Sequence, residues 1–294
     1  MKFGAVENPA GVHFTLPVDH PATAKILAKR KYIKPAGLYV GCAKWSRTEL
    51  TNFYPRGTTD ELLYYATQFN SIEMNVTFRQ HFLPEQFLEW RDKTPADFRF
   101  FPKVHGYISH SKWLNDIEKS TEKFTNSVVY LQEKLGTIFL QLRPQFAPKF
   151  MDRLIRFIDH WPAELPLAVE LRHTDWFNDP DVATELYQLF EEHNIANILV
   201  DTAGRRDLLH MRLTSSEAFI RFVGANHPSD YTRLEEWVAR LKSWWDQGLR
   251  QIRFFIHQNA EVDSPKLAAY FIEHLNNELG CTLHVPHYLE NGQA

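Results

Sequence analysis

Residues 166–176 contain the first pair of side chains that could do chemistry. Residues 167–171 form a short apolar run, which is typical of a strand buried on both faces of a parallel sheet. Glu170 and Arg172 lie two residues apart, so they point to the same side of that strand. A carboxylate and a guanidinium buried there cost several kcal/mol unless they are paired or used. Taken alone, the pair fits a structural ion pair and a functional site equally well.

Other predicted strands end in the same way. The i, i+2 spacing recurs in Glu73 with Asn75 and in Gln141 with Arg143. The remaining strand ends supply Cys42 and Lys44, Lys103, Asp201, Arg221, and His257 to Asn259. The interior of a barrel is normally filled by Val, Ile and Leu. A group of three carboxylates and three cations therefore favours a ligand site over a purely structural network.

Three carboxylates are the candidate catalytic groups. Glu73 and Glu170 could act as acid and base, or as nucleophile and acid, if burial near a cation separates their pKa values. Asp201 is the third candidate, although its position before Thr202 also suits a turn or a cap. No short catalytic motif in the sequence selects one reaction.

Cationic and aromatic residues are the candidate substrate-binding groups. Lys103, Arg172 and Arg221 could clamp a phosphate or a carboxylate, although Lys103 could also simply pair with a glutamate. The tryptophans suit core packing as well as stacking, and His110 also suits a surface loop. The other candidates are Trp45, Asn75, His110, Gln141, Trp176, His257 and Asn259.

A metal site is the third possibility for these strand ends. It would recruit Glu73, Glu170, Asp201 and His257, since carboxylates and imidazole suit magnesium, manganese or zinc. The three nearby cations would repel a divalent ion unless an anionic substrate intervened. We therefore predict no bound metal and no cofactor.

The elements that must position these residues alternate along the chain. Strands are predicted at 38–42, 71–74, 98–103, 137–142, 167–171, 196–201, 218–223 and 252–257, and helical apolar spacing follows most of them. Short links between strands and helices imply parallel strands with right-handed crossovers. Eight such units predict an α/β fold with a single (β/α)8 TIM-like barrel over residues 37–294. Residues 1–36 are predicted to be an irregular arm packed on it, and an open doubly wound sheet is the alternative.

Composition limits the classes of partner and compartment. A net charge of −3 gives no basic surface, so a nucleic-acid role is disfavoured. The two cysteines, Cys42 and Cys281, lie far apart and suggest neither a zinc site nor a disulfide framework. The sequence has no apolar signal region and no run of eighteen apolar residues. We expect a cytoplasmic protein with no membrane partner; the oligomeric state is not predicted.

Several segments together resemble the YecE-like family, the domain of unknown function 72, over residues 38–274. The matching segments are 41–46 (GCAKWS), 53–55 (FYP), 69–78 (FNSIEMNVTF), 98–103 (FRFFPK), 108–110 (ISH), 135–136 (LG), 141–146 (QLRPQF), 169–173 (VELRH) with Trp176, Asp201, and 220–222 (IRF). The resemblance implies a TIM-like barrel, and the family's activity is not established. It also implies a pocket formed by Trp45, Glu73, Asn75, Phe78, Lys103, His110, Gln141, Glu170, Arg172, Trp176, Asp201 and Arg221.

Four positions depart from the pattern of that family. Residues 42–44 replace the middle of a Gly-Thr-Ser-Gly-Trp-Ser motif, and Arg143 replaces the first proline of Leu-Pro-Pro. Before Gly224 the usual histidine is Val223, and residues 257–259 replace an Asn-Asn pair. Three of the four changes add cationic or protonatable groups, which is consistent with a different ligand or with loss of an ancestral activity.

These observations predict a metal-independent hydrolase or lyase acting on a small anionic, phosphorylated or carboxylated, sugar-like molecule. The predicted site is the rim of the barrel formed by the C-terminal strand ends. The first alternative is a non-catalytic binder of a small anion or of a partner protein. A metal-dependent isomerase or phosphodiesterase is the second.

Overall fold

Short strands and helices alternate along the chain in the computed structural model, which describes residues 3–29 and 37–289. The strands are β1 (Gly37–Cys42), β2 (Ser71–Met74), β3 (Arg99–Pro102), β4 (Ile138–Gln141), β5 (Leu167–Glu170), β6 (Ala196–Asn197), β7 (Leu199–Thr202), β8 (Glu217–Gly224) and β9 (Gln251–Gln258). Their positions agree with the predicted strands to within a few residues, and the predicted alternation of strand and helix is confirmed.

The helices begin and end where local chemistry favours it. The Asp60 side chain accepts a hydrogen bond from the Leu63 amide, so the helix after it is capped. Gly280, with a φ of 64°, ends the last helix in the left-handed conformation that glycine tolerates. The helices are α1 (Pro21–Lys29), α2 (Glu61–Gln68), α3 (Val76–Arg79), α4 (Pro84–Lys93), α5 (Glu118–Val128), α6 (Met151–Asp159), α7 (Asp175–Asn178), α8 (Pro180–Glu192), α9 (Ser229–Gln247) and α10 (Ser264–Leu279).

Every strand pair in the described residues is parallel. The hydrogen-bonded orders are β1-β9-β8-β7, β2-β3 and β4-β5-β6. Isolated bridges at Phe100–Leu135 and Lys103–Phe139 connect the β3 and β4 regions. The parallel α/β class is therefore confirmed. The strand pairs form three separate segments, so closure into a complete barrel stays a prediction.

The contact between β1 and β2 relies on a side chain. The Asn70 amide donates to Leu38 O at 2.8 Å and accepts from Val40 N at 3.1 Å, so it takes the place of backbone pairing. A Cβ at Gly41 would lie 2.1 Å from the Ser71 carbonyl oxygen. Only glycine allows this approach of the two backbones.

The predicted strand 196–201 is corrected to two short strands. Ala196 and Asn197 pair with β5, whereas residues from Leu199 onward pair with β8. The chain changes its hydrogen-bonding partner at Ile198, whose amide donates to Val169 O at 2.9 Å. The continuous stretch from Ala196 to Thr202 therefore links two of the hydrogen-bonded segments.

A small apolar layer lies on the inner face of the strands. Its members are Phe101, Phe139, Ala168, Ala196, Ile198, Val200, Phe219 and Phe255, and they are packed together apart from the main core. Each inner position is followed two residues later by another inner position. Phe101, Phe139, Ala168, Phe219 and Phe255 are followed in this way by Lys103, Gln141, Glu170, Arg221 and His257.

The N-terminal segment contacts both α9 and the loop after β7. The Leu16 amide donates to the Glu236 carboxylate at 2.7 Å, and Thr23 exchanges hydrogen bonds with Met211 and Leu213. Of the predicted arm, residues 1–2 and 30–36 lie outside the described residues, and so do residues 290–294 of the predicted barrel. In the described part of the chain, no helix is long and apolar enough to cross a membrane.

Candidate functional site

Hydrogen bonds join eight of the predicted site residues into one group, which we call the Arg221 cluster. The strands place its members at their C-terminal ends, on the inner face above the apolar layer. The members are Glu73, Asn75, Lys103, Gln141, Glu170, Arg172, Arg221 and His257.

Arg221 stands at the centre of this cluster and bridges two carboxylates. Its Nε and Nη2 atoms donate to the two oxygens of Glu73, both at 2.8 Å, and Nη1 donates to Glu170 at 2.5 Å. Both glutamates are fully buried, and a bidentate guanidinium pair is among the strongest ionic contacts in proteins. Each nitrogen of Arg221 is thus directed at a carboxylate, so this residue is not free to clamp a ligand as predicted.

Lys103 and Arg172 are held differently. Lys103 Nζ donates to Gln141 Oε1 at 2.7 Å and lies 4.2 Å from the centre of the Phe78 ring. The Gln141 amide in turn donates to both oxygens of Glu170 at 3.0 Å. Arg172 donates to Glu170 through Nε only. Within the described residues, its two Nη groups retain donors that no acceptor uses.

Burial and charge set the protonation of these groups. Burial alone would raise the pKa of Glu170, but Arg172 and Arg221 override it and lower that pKa to about 2. Burial would likewise raise the pKa of Glu73, but Arg221 overrides it, and this pKa lies well below its usual value. Burial, reinforced by Arg221, lowers the pKa of Lys103 to about 7. The two carboxylates are therefore ionised at neutral pH, and the lysine is the group that titrates there.

His257 and Asn75 hold Glu73 from the remaining sides. His257 Nε2 lies 3.0 Å from Glu73 Oε2 and 3.2 Å from Arg221 Nη2. The Asn75 amide donates to Glu73 Oε1 at 2.8 Å. Glu73 thus receives hydrogen bonds from three different side chains, so its position is fixed.

His110 lies beside the cluster without a direct hydrogen bond to it. Its ring meets the edge of Phe78, the ring beneath Lys103, with centroids 4.8 Å apart, and its Nδ1 contacts Ser109 Oγ at 2.9 Å. Burial, together with the charge of Lys103, lowers the pKa of His110 to about 4. His110 is accordingly neutral at physiological pH.

The N-terminal segment covers one side of the cluster. The Phe3 ring lies 3.7 Å from the guanidinium carbon of Arg172. Gly4 O accepts from the Gly204 amide at 2.8 Å and from Thr202 Oγ1 at 3.0 Å. Gly4 has a φ of 72°, and a Cβ there would meet Thr202 Oγ1 at 2.2 Å. A glycine is therefore required for the segment to sit so close to β7.

Asp201 is placed away from the Arg221 cluster, which corrects its predicted position. Its oxygens accept from Arg233 Nη2 and from Trp237 Nε1, each at 2.7 Å, and from Arg206. Arg233 and Trp237 belong to α9, so Asp201 faces the helix layer. Inner positions on this stretch are Ile198 and Val200, and alternation makes Thr202 the next one.

Both predicted aromatic residues of the site take part in packing. Trp176 is fully buried, donates through Nε1 to Phe146 O at 2.6 Å, and stacks on the Phe146 ring. Its indole therefore belongs to the core. Trp45 packs edge-on against Trp90 with centroids 6.1 Å apart. The backbone amide of Asn259 donates to Gly224 O at 3.1 Å in the loop after β9.

Sequence reasoning missed two neighbours of the cluster. Thr202 follows the predicted strand 196–201, although counting in twos from Val200 places it on the inner face. Phe3 lies in a segment whose irregular sequence gives no signal of where it docks. Of the four residues that the metal alternative would recruit, Asp201 lies apart from the other three, and in residues 3–29 and 37–289 no three His, Cys, Asp or Glu side chains are grouped as a metal site requires.

Comparisons with known proteins place the chain in a family. It is 27% identical over 261 residues to the UPF0759 protein YecE of Escherichia coli K12, covering 82% of this chain and 94% of that protein. It is 25% identical over 152 residues to the UPF0759 protein YunF of Bacillus subtilis 168, covering 49% and 53% of the two chains.

Solved structures agree with this relationship at the level of the fold. A DUF72 family protein from Enterococcus faecalis V583 matches with a TM-score of 0.66 at 21% identity, covering 86% of this chain and all of that one. One from Thermotoga maritima MSB8 matches with a TM-score of 0.63 at 23% identity, covering 82% and 99%. The family model described as "Protein of unknown function DUF72" matches residues 39–288. The chain therefore belongs to the DUF72 family, as its sequence motifs indicated.

Proposed function

We propose that this protein is a metal-independent lyase or hydrolase that acts on a small anionic, sugar-like molecule. In this proposal the fold is a single (β/α)8 TIM-like barrel over residues 37–294, with residues 1–36 as an arm. The substrate would bind at the C-terminal ends of the strands, where barrel enzymes hold their active sites. The composition supports a cytoplasmic location and gives no basic footprint for nucleic acid.

The Arg221 cluster is the observation that supports this proposal. Two ionised carboxylates share one guanidinium, while Arg172 and Lys103 keep N–H donors directed at no carboxylate of their own. These donors suit a phosphate or carboxylate group. Glu73 and Glu170 are the proposed catalytic carboxylates, with Asn75, Gln141, His257 and His110 around the substrate. Asp201 and Trp176, whose side chains are held elsewhere, have no part in the proposed mechanism, and Trp45 and Asn259 stay predicted substrate-binding residues.

The protonation of the carboxylates favours a lyase over a hydrolase. Hydrolysis at a sugar usually needs one carboxyl group whose pKa is raised so that it can give up a proton. Here the charge of Arg221 overrides burial and lowers the pKa of Glu73, and the charges of Arg172 and Arg221 do the same for Glu170. Two carboxylates of this kind stay ionised and cannot serve as that proton donor, so a lyase fits the site better than a hydrolase does.

Inorganic phosphate tests the anion site. If phosphate binds with a Kd of about 1 mM, about 20 mM phosphate stabilises the folded protein by about 1.8 kcal/mol and raises Tm by a few degrees, relative to chloride at matched ionic strength. The variant Arg172→Met should lose this shift. Arg156→Met, which removes an exposed arginine on α6, is the matched control.

Two alternatives make different predictions in the same experiments. A non-catalytic anion binder would show the phosphate shift but no turnover of phosphorylated or carboxylated sugars. A metal-dependent isomerase or phosphodiesterase would hold stoichiometric metal that is lost in Glu73→Ala and Glu170→Ala. Absence of any phosphate shift would remove the anion site from the proposal.

A further inference from the structure

The contacts of Lys103 differ from those of a structural buried lysine. Lys134 is also buried, but its Nζ donates to three acceptors, which are Arg91 O, Thr94 O and Thr94 Oγ1. Lys103 is 7% exposed, and the amide oxygen of Gln141 is the acceptor it uses within the described residues. Its amine therefore keeps N–H groups and a position from which it can react.

The carboxylates of the cluster do not neutralise Lys103 directly. Glu73 and Glu170 are taken by Arg221 and Arg172, both of which are permanent cations. The amine instead faces the amide of Gln141 and the apolar rings of Phe78 and Phe139. Burial beside guanidinium groups disfavours the ammonium form and lowers the pKa of Lys103 to about 7. A large fraction of the molecules thus present a neutral amine at neutral pH.

We propose that Lys103 is the nucleophile of this site and that the substrate carries a ketone or aldehyde next to its anionic group. This inference deepens the proposed function and rests on it. A neutral lysine beside other cations is the arrangement that activates an amine toward carbonyl compounds. Arg172, whose Nη donors are unused within the described chain, would hold the phosphate or carboxylate of the same molecule.

The reaction needs no oxidant, reductant or cofactor. The Nζ lone pair forms a bond to the carbonyl carbon while the C=O π pair moves to oxygen, and a proton passes from nitrogen to that oxygen. The resulting carbinolamine loses its hydroxyl as water after taking up one more proton, which leaves a C=N bond to Lys103 as an iminium. The iminium accepts the electron pair released when a neighbouring C–H or C–C bond is broken. An adjacent glutamate can take the proton that is released.

Chemical trapping tests this proposal directly. The purified full chain is incubated with cyanoborohydride and, in separate samples, pyruvate, dihydroxyacetone phosphate and ribose 5-phosphate. Peptide mapping by mass spectrometry should locate a reduced adduct at Lys103, formed about tenfold faster than at exposed lysines because those are protonated near pH 7. Lys103→Met should form no such adduct. Lys149→Met, which removes an exposed lysine just before α6, should trap as the wild type does.

A substrate-independent measurement covers the case in which none of these carbonyl compounds fits. The rate of acetylation by acetic anhydride, resolved by residue, should reach half of its maximum near pH 7 at Lys103, and Lys134 should remain protected. Both measurements are repeated on Phe3→Ala, in which the ring that lies against Arg172 is removed. If Lys103 is neither acetylated nor trapped in the wild type or in Phe3→Ala, Lys103 is not the nucleophile.

The two proposals fail separately. If phosphate raises Tm but Lys103 does not react, the proposed anion-binding enzyme is supported and the Schiff-base step is wrong. Trapping at Lys103 by pyruvate with no effect of phosphate retains the nucleophile and removes the phosphate clamp. Adducts spread evenly over the exposed lysines would overturn the assignment of Lys103.

Discussion

Asp201 and Glu170 are both fully buried carboxylates at the ends of strands, yet the two lie in opposite environments. Asp201 faces the helix layer and accepts hydrogen bonds from Arg206, Arg233 and Trp237. Glu170 faces the strand interior, where it shares Arg221 with a second carboxylate. The Asp201 contacts fasten α9 to the sheet. The Glu170 contacts leave Lys103 without a carboxylate partner among the described residues.

This comparison shows that the face of a strand decides the role of a buried charge. An acid between sheet and helix is stabilising when donors from the helix complete its hydrogen bonds. An acid on the inner face, next to cations that keep unused N–H donors, is the arrangement expected of a ligand site. The number of buried charges alone does not separate the two cases, whereas the donors left over do.

The largest effect is expected at the Asp201 contacts. Arg233→Met removes the cation that Asp201 and Asp230 share, so Asp230 would remain as a buried charge without its ion pair and Asp201 would keep only Arg206 and Trp237. Such a change costs about 3–5 kcal/mol, measured as the free energy of unfolding in urea. Lys242→Met is the control on the same helix, because its pair with Asp246 is exposed and worth at most about 1 kcal/mol. Equal small losses in both variants would show that the Asp201 contacts do not hold the helix.

The next effect is the acid sensitivity that Glu170 confers. Its pKa lies at about 2 in the folded protein, below the ordinary 4.5, because Arg172 and Arg221 outweigh burial. The stability it contributes is therefore present above about pH 4.5 and is lost as the pH falls through about 2. Glu170→Gln has no such group, so its unfolding free energy should change less over this range, by up to about 3 kcal/mol.

Urea titrations of both proteins at a series of pH values measure this difference. Buried histidines such as His210, whose pKa is lowered by burial to about 3, also reduce stability in acid. They are present in both proteins, so the comparison isolates Glu170. Parallel curves for the two proteins would contradict a strong ionic role for this carboxylate.

Strand alternation made most of the cluster predictable from sequence. Glu170 with Arg172 and Glu73 with Asn75 follow the i, i+2 rule, and in both pairs the structure brings the two side chains into hydrogen-bond contact. Asp201 was misplaced because only the end of its strand was considered, and not the alternation along it. The rule does not give the partner of each charge, since Arg221 meets Glu73 and Glu170 only through long-range packing.

Other parts of the fold depend on contacts that no local pattern contains. Asn70 substitutes for backbone pairing between β1 and β2 through its side-chain amide. The docking of Phe3 on Arg172 joins residues far apart in the chain. Trp176 follows a strand end, where a stacking platform was an open possibility, but a hydrogen bond to Phe146 O holds its indole in the core. Such choices are made by tertiary packing, which overrides local preference.

The smallest effect, and the one that most sharpens the comparison, is expected at Lys103. Burial, reinforced by Arg221, depresses its pKa from 10.5 to about 7, so the charged lysine destabilises the folded state. This cost is fully present below about pH 7 and is relieved as the pH rises toward 10.5, because the unfolded chain then binds more protons than the folded one. Lys103→Met removes the charge and keeps the bulk of the side chain. Its advantage over the wild type should therefore shrink by about 2 kcal/mol between about pH 7 and about pH 9.

Urea unfolding of Lys103→Met at several pH values tests whether function here opposes stability. Lys149→Met is the control for losing one positive charge, because the side chain of Lys149 is exposed. A Lys103→Met protein that is as stable as the wild type or more stable near pH 7, yet forms no reduced carbonyl adduct, fits a lysine kept for reaction. If Lys103→Met is instead destabilised by several kcal/mol at every pH, Lys103 is a structural cation like those around Asp201. The Arg221 cluster would then differ from the Asp201 contacts only in the face of the sheet on which it lies.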